Sequence, residues 1–410
     1  MQSQCSTGMS CAEPNTLVAW YKQYRRALPW RKTKDPYRIL VSETMLQQTR
    51  VETVIPYYRA FLERFPSVFA LAKANEADVL KMWQGLGYYS RARNLQRLAQ
   101  EVVDRHEGRI PNDESRLCEL PGVGEYTCGA VMSIAFDAPV PAVDGNVLRV
   151  MTRYLGIHLP IDKSSVRRQV RDVVAAWLQH VSPALLTQAL MELGALVCVP
   201  RNPKCPDCPL REGCVAKRDS LTDVLPVKPK KKPRKLVDVF ALWLETEQGV
   251  LVKQRPNEGL LAGLWQLPAA ERDTGEYEDS SAEIGRILDI LMKELTYGSG
   301  TFEAVAEQAA SYGASHSDPI GAQNELWDAD ATPQLGEVMI GEERHIFSHI
   351  EWRVRVYRPI SMNKACRIAL ASCIMGDTGP YRWVPRDELG KLAWPRVYEK
   401  LLSSLTGLPI

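Results

Sequence analysis

Two carboxyl groups, four thiols and a glycine-bearing turn are the parts of this sequence best suited to chemistry. Glu43 lies in the stretch Pro36 to Gln48, where it shares a helical face with Ile39, Leu40, Leu46 and Gln47. A carboxyl among aliphatic neighbours has a raised pKa, as a general acid needs near neutrality; the plainer alternative is a surface glutamate on an amphipathic helix. Asp144 follows the rigid run Pro139-Val140-Pro141-Ala142-Val143 and precedes a helical pattern, Gly145 to Leu155. It is either a reactive carboxylate or an N-cap. Cys198, Cys205, Cys208 and Cys214, spaced C-x6-C-x2-C-x5-C, place four thiols within 17 residues of a Pro-rich loop. Such a set can surround one metal centre, and both zinc and a [4Fe-4S] cluster accept it. The other cysteines (Cys5, Cys11, Cys118, Cys128, Cys366 and Cys373) show no such clustering and are expected as buried thiols or tail residues.

These groups need elements to hold them. Two short helical patterns, Glu114 to Leu120 and Glu125 to Ala135, are joined by Pro121-Gly122-Val123-Gly124. Gly122 and Gly124 permit a tight turn, and the second helix then points free N–H groups outward, as a phosphate requires. Thr44 to Thr49 sets Gln47 and Gln48 at a helix end, suited to probing bases, though such an end is equally at home in solvent. Gly85-Leu86-Gly87-Tyr88-Tyr89-Ser90-Arg91-Ala92-Arg93 combines a backbone turn, a stacking surface and phosphate-binding cations. Helical spacing recurs from Asn15 to Leu28, Asn75 to Trp83, Ser164 to His180 and Ala184 to Leu196, and no strand pattern interrupts the first 200 residues. The segment is expected to be all-α.

A chain of 410 residues predicts two or three domains, and 45% hydrophobic with 24% charged residues is ordinary for a soluble protein. No segment has the apolar length to cross a bilayer, and the first residues lack the basic and apolar regions of an export signal. The net charge of +2 hides an asymmetry: residues 1–225 carry +6, residues 226–235 add six basic side chains, and residues 236–410 carry −10. The sign of the first part permits a polyanionic partner. The run Leu225 to Lys235 reads as an extended Pro- and Lys-rich linker, with a nuclear localisation signal as the alternative. Beyond it, Val237 to Leu244, Val250 to Lys253 and Ile350 to Tyr357 have strand patterns, and Ile284 to Leu295 is amphipathic. Thr296 to Glu337, acidic and rich in Gly, Ala and Ser, is expected to be a flexible insertion. This half reads as α+β.

The hairpin, the downstream aspartate and the four-cysteine loop occur in the order found in the helix-hairpin-helix DNA glycosylase superfamily. The segments WRKTKDPYRILVSETMLQQTRVETV, GLGYYSRARNL, VDGNVLRV and LGALVC resemble the adenine DNA glycosylase family. The match is dense over residues 15–225 and thinner beyond. It implies a multidomain chain: a tail (1–14), an all-α helix-hairpin-helix glycosylase domain (15–197), an iron-sulfur loop (198–224), a basic linker (225–235) and an α+β Nudix-like domain (236–410). LLAGLWQLP and HIFSHIEW carry that last likeness, but the glutamate-rich metal box of a working Nudix hydrolase is missing from the sequence. The resemblance implies removal of adenine mispaired with 8-oxoguanine or guanine, and a [4Fe-4S] cluster on the four cysteines, with structural zinc as runner-up. Glu43 would be the acid at adenine N7, and Asp144 the carboxylate facing an oxocarbenium-like sugar. Tyr126 and Asn146 would support them. Bifunctional endonuclease III-like members have a lysine at the place of Tyr126; a phenol forms no Schiff base, so the chain is expected to be monofunctional. Gln48 and Tyr88 would enter the space around the opened pair, Arg31 would lie near the site, Gly122 and Gly124 would contact phosphate, and Ser348 and His349 would read 8-oxoguanine. Glu125 stands where relatives often have proline. The implied partner is duplex DNA holding the adenine:8-oxoguanine mispair, engaged by a monomer without a membrane; a processivity clamp follows by family analogy only. The expected location is the bacterial cytoplasm at the nucleoid, or the nucleus of a eukaryote. The alternatives weighed are an endonuclease III-like glycosylase/lyase for oxidised pyrimidines and a non-catalytic DNA-binding iron-sulfur protein.

Overall fold

The computed structural model describes residues 12–229, 233–274, 280–297, 338–347, 349–359, 380–408 and 410. The expectations for residues 1–11, most of the insertion, Ser348, and Cys5, Cys11, Cys366 and Cys373 lie outside the described residues. The chain forms two compact units, residues 1–231 and 232–410.

The first unit is helical: α1 (Ala12–Tyr24), α2 (Pro36–Leu46), α3 (Val51–Arg64), α4 (Val68–Ala72), α5 (Glu76–Trp83), α6 (Ser90–His106), α7 (Glu114–Glu119), α8 (Glu125–Phe136), α9 (Gly145–Leu155), α10 (Ser164–Leu178), α11 (Pro183–Leu196) and α12 (Val215–Arg218). Local chemistry sets the starts. Asp35 caps α2 by accepting from Tyr37 N at 2.9 Å, with Pro36 in the first turn, where its missing N–H costs nothing. Asp113 caps α7 in the same manner. Helix α2 stops at Leu46, two residues before the expected end: Gln47 leaves the helical region at ψ 112, and Gln48 after it turns to φ +57. Helix α1 is already formed at Ala12, the first described residue, ahead of the expected start at Asn15.

Helix α2 packs on α3, α6 and α8, while α11 packs on α1, α8 and α9. The apolar faces of α1, α9, α10 and α11 share one core, including Leu17, Tyr21, Leu148, Met151, Val170, Trp177 and Leu190. Gly129 lets α8 press against the connector into α9, since a Cβ there would lie 2.2 Å from the Pro141 carbonyl oxygen. Cys118 on α7 and Cys128 on α8 form a disulfide, with Cα atoms 5.5 Å apart. This corrects the expectation of unpaired thiols: the tight hairpin brings together two helix positions that are ten residues apart in sequence.

The second unit is α+β. Strands β1 (Lys235–Leu242), β5 (Ala269–Asp273), β6 (Val338–Ile346) and β7 (Ile350–Arg358) form a sheet ordered β5-β1-β7-β6, in which β1 and β7 are parallel and the other pairs antiparallel. A second sheet holds β2 (Glu245–Thr246), β3 (Gly249–Gln254), β4 (Trp265–Gln266) and β8 (Tyr381–Val384). Alternation sorts the first sheet's faces. Val237, Val239, Trp352, Val354 and Val356 face a core shared with α14 (Arg396–Thr406), and Phe240, Leu242 and Tyr357 face α13 (Ser281–Tyr297).

Candidate active site

Glu43 sits on the buried face of α2, 4% exposed, on the same side as Ile39 and Leu40. Tyr126, in the first turn of α8, donates its phenol proton to Glu43 Oε2 at 2.5 Å. Burial pushes the Glu43 carboxyl up to about 7; the Tyr126 hydrogen bond opposes that, the nearby Asp144 charge adds to it, and Arg31 weakly opposes it. The raised pKa expected from the sequence is present. Burial also drives the Tyr126 phenol well above its ordinary value, so it is a permanent donor.

Asp144 is the N-cap of α9. Its Oδ1 accepts from Val147 N at 2.7 Å and its Oδ2 from Asn146 Nδ2 at 2.8 Å. The capping role is present, and the same carboxylate lines the cavity that holds Glu43. Burial raises its pKa, and the Val147 and Asn146 donors, with Arg149 beyond them, pull the other way by favouring the carboxylate. Of the two carboxyls, Asp144 is the one supplied with several donors. Asn146 is itself placed by Arg149, whose Nη2 donates to Asn146 Oδ1 at 2.9 Å and to the Gly194 carbonyl at 2.7 Å. A Cβ at Gly194 would lie 2.6 Å from Asn146 Cβ, so α9 and α11 meet closely at this residue.

Glu43, Tyr126, Asp144, Asn146, Arg31, Gln48, Gly122 and Gly124 all line one cavity of about 1360 Å³. Arg31 is tied down within it. Its guanidinium donates to Glu192 at 2.9 and 2.8 Å and to the Arg26 carbonyl at 2.9 Å. Arg26 also clasps Glu192 through its backbone N–H and side chain. Burial acts to raise the Glu192 pKa, but these Arg31 and Arg26 hydrogen bonds overcome it and hold the carboxylate near 2. Glu192 lines the same cavity and was missed from the sequence, where its one signal is a carboxyl in the otherwise apolar run of α11.

Gly122 has φ +75, a conformation that favours glycine, and a Cβ there would strike Asn94. Gly124 has open space around it as the N-cap of α8, leaving that helix start accessible. The exposed Glu125 carboxylate is ion-paired with Arg171. Gln48 and Tyr88 are exposed tips of two turns. In the second unit, His349 is exposed where β6 turns into β7, and its carbonyl accepts from Lys235 N at 3.0 Å; Ser348 beside it is outside the described residues.

The four cysteines gather as the spacing predicts. Cys198, Cys205, Cys208 and Cys214 line a second cavity, of about 30 Å³, in the first unit. All four are unpaired and half-buried, and burial raises Cys208 to about 12. Arg153 donates to Cys198 Sγ at 3.4 Å. Among the described residues no group of three or more His, Cys, Asp or Glu side chains is disposed to hold a metal ion as it stands. Four thiols lining a common apolar cavity, with a cation beside them, are a donor set that both zinc and a [4Fe-4S] cluster accept.

Residues 41–176 match the family model of the HhH-GPD superfamily base excision DNA repair proteins, and residues 239–404 match the NUDIX domain. The chain is 32% identical over 396 residues to the adenine DNA glycosylase of Rattus norvegicus, covering 83% of this chain and 69% of that one. The adenine DNA glycosylase of Buchnera aphidicola subsp. Baizongia pistaciae (strain Bp) is 33% identical over 261 residues, 62% of this chain and 72% of its own. Among solved structures, a thermostable thymine-DNA glycosylase is 30% identical and covers 50% of this chain and 95% of its own, with a TM-score of 0.46.

Proposed function

Because the chain belongs to the adenine DNA glycosylase family, and so is a base excision repair enzyme acting on DNA, we propose that it hydrolyses the N-glycosidic bond of adenine mispaired with 8-oxoguanine or guanine, without cutting the strand. One observation carries this reading: a buried carboxyl with a pKa near 7, bonded to a phenol, shares a cavity with a second carboxyl held by amide donors.

The target base leaves the stack to reach such a cavity. Adenine is a poor leaving group until protonated, and Glu43, whose carboxyl burial raises to about 7 so that a protonated form is available near neutrality, gives its proton to N7. Tyr126 occupies Oε2 and steers the acid. As the bond to adenine breaks, positive charge spreads over the sugar, and the Asp144 carboxylate, already fixed by Val147 and Asn146, stabilises it without reorganising. Water then adds to the cationic sugar and gives up one proton, which restores the proton that Glu43 lost to adenine. With tyrosine rather than lysine at position 126 no Schiff base forms, so chemistry ends at the abasic site.

The four cysteines are assigned to a [4Fe-4S] cluster, in agreement with their shared cavity. When bound, such a group takes up four thiolates and ties the loop together. Ser348 and His349 are assigned to reading 8-oxoguanine, with the exposure of His349 at a strand turn in support. Alanine at both positions should lower the preference for 8-oxoguanine over guanine in competition assays, and an unaltered preference would remove that assignment.

The decisive experiment is single-turnover cleavage of duplexes with adenine opposite 8-oxoguanine, read with and without alkali, beside a thymine glycol control. Breaks at adenine only after alkali support the proposal. Direct nicking at thymine glycol, with adenine untouched, would favour the glycosylase/lyase alternative. Metal analysis of the same preparation should give four iron and four sulfide per chain, and zinc in their place would sink the cluster assignment.

A further inference from the structure

Arg91, in the first turn of α6, is 9% exposed, yet the four protons of its two Nη groups share six hydrogen-bond contacts. Nη1 reaches the carbonyls of Thr44, Met45 and Gln47 at 2.7, 3.0 and 2.6 Å. Nη2 reaches Thr49 Oγ1 at 3.3 Å and the carbonyls of Leu86 and Gly87 at 3.2 and 3.0 Å. The first three acceptors close the end of α2, where carbonyls have no further helical N–H to meet. None of the six is a carboxylate. Burial lowers the pKa of Arg91 to about 10, still cationic at neutral pH, so carbonyl dipoles at a negative helix end carry the counter-charge. The guanidinium also lies over the Trp83 and Tyr88 rings, at 5.5 and 5.6 Å.

Besides the Thr44 and Met45 carbonyls of α2, the acceptors belong to two turns that are remote in sequence, residues 47–49 and 86–88. The tip of the first is Gln48, at φ +57, and the tip of the second is Tyr88, at φ +49. Both are exposed, and both hold a left-handed conformation that a residue with a side chain seldom adopts unless its surroundings enforce it. Arg91 grips the residues flanking each tip: Gln47 and Thr49 around one, Leu86 and Gly87 before the other.

We propose that Arg91 is a positioning residue that locks the Gln48 and Tyr88 turns into one rigid wedge, so that both tips enter the duplex together at a fixed spacing. The proposal rests on the reading that these two side chains occupy the opened base pair. A planar fork is required, because lysine offers a single point of donation and cannot span both turns. Base extrusion should depend on Arg91, and proton delivery by Glu43 should not.

The test is a mutant cycle on the full chain, read by 2-aminopurine fluorescence for base extrusion and by single-turnover excision for chemistry. Arg91→Lys should slow both by roughly tenfold, the scale of coupling between residues in contact. The reaction amplitude and the pH midpoint should not move. In a Gln48→Ala/Tyr88→Ala background the same substitution should cost less than about twofold, since the wedge it serves is gone. Thr49→Val, which removes one of the six bonds, should show a smaller loss with the same dependence on background; it decides the matter if Arg91→Lys does not fold. Equal losses in both backgrounds, or a loss confined to amplitude, would reduce Arg91 to a folding role and overturn the proposal. Unaltered extrusion and excision in Gln48→Ala/Tyr88→Ala alone would instead remove the insertion reading, and the wedge with it.

Discussion

Replacing Tyr126 with phenylalanine tests the acid assignment through its direction. The Glu43 carboxyl stands near 7 even though the Tyr126 phenol, by donating to Oε2 at 2.5 Å, favours its charged form. A hydrogen bond to a charged group contributes about 1.5–3 kcal/mol. One pK unit corresponds to about 1.36 kcal/mol, so deleting the phenol should lift Glu43 by roughly one to two units. The excision rate needs protonated Glu43, and its alkaline limb should therefore move from about 7 to roughly 8–9. Single-turnover rates at saturating enzyme, taken from mildly acid to alkaline pH, report the limb for the bound complex. Tyr126→Phe should have a lower maximum, because its acid is less well aimed, yet keep a larger fraction of that maximum above neutrality. A limb that stays in place or moves towards acid pH would refute the reasoning, since the limb would then belong to a group other than one stabilised by Tyr126.

Glu43→Gln should abolish excision while retaining mispair binding, as gel-shift and turnover assays would show together; unchanged turnover would remove Glu43 from the mechanism. It also carries a stability signature. A carboxyl raised from 4.5 to about 7 in the folded chain is a stability cost that appears as pH rises from about 4.5 to about 7 and stays above it. The size is roughly 3 kcal/mol. Urea unfolding at pH 5 and 8 should show the glutamine variant gaining on the parent at the higher pH, and parallel profiles would argue against a buried acid. Glu192→Gln acts with the opposite sign, because a carboxylate held near 2 stabilises the fold above its ordinary 4.5, and that stabilisation is lost as pH falls through about 2. Breaking this ion pair at neutral pH should cost about 3 kcal/mol, the low end for buried pairs since Arg26 is 29% exposed, and an unaltered urea midpoint would refute it. Gly194→Ala would press a methyl group against Asn146, costing about 1–3 kcal/mol. Its excision rate should fall while DNA affinity holds, and a normal rate would show that the Asp144–Asn146 pair tolerates the shift.

The sequence carried the parts of the site that local pattern can express. Glu43 betrayed itself by its apolar helical neighbours, Asp144 by its place before a helix, and the cysteines by their spacing. What stayed hidden depends on distant partners. Glu192 shows only a carboxyl within an apolar stretch, and its role depends on Arg26 and Arg31, more than 160 residues away, closing on it. Arg91 read as a phosphate contact because five of its six acceptors are main-chain carbonyls, and these have no signature in side-chain identity. The same blindness applies to Cys118 and Cys128. Their positions on two different helices concealed a pairing that only the turn at Gly122 and Gly124 creates. In the second unit, apolar runs located β1 and β3 and period-two alternation located β7, whereas the parallel pairing of β1 with β7 bridges more than a hundred residues and could not be read locally.

Helix α9 connects two places that would otherwise be unrelated. Its N-cap is Asp144, and farther along Arg149 and Arg153 hold the main chain of the cysteine loop at Cys198, Val199 and Pro200. At about 1.5 Å per residue, eleven residues make a rod of roughly 16 Å with a carboxylate at one end and the loop at the other. For anyone building chimeras or minimised scaffolds, residues 144–214 are thus one inheritable cassette. A donor loop grafted without its matching helix would arrive with its anchoring arginines unaddressed, and the aspartate at the far end would register the mismatch as a change in aim.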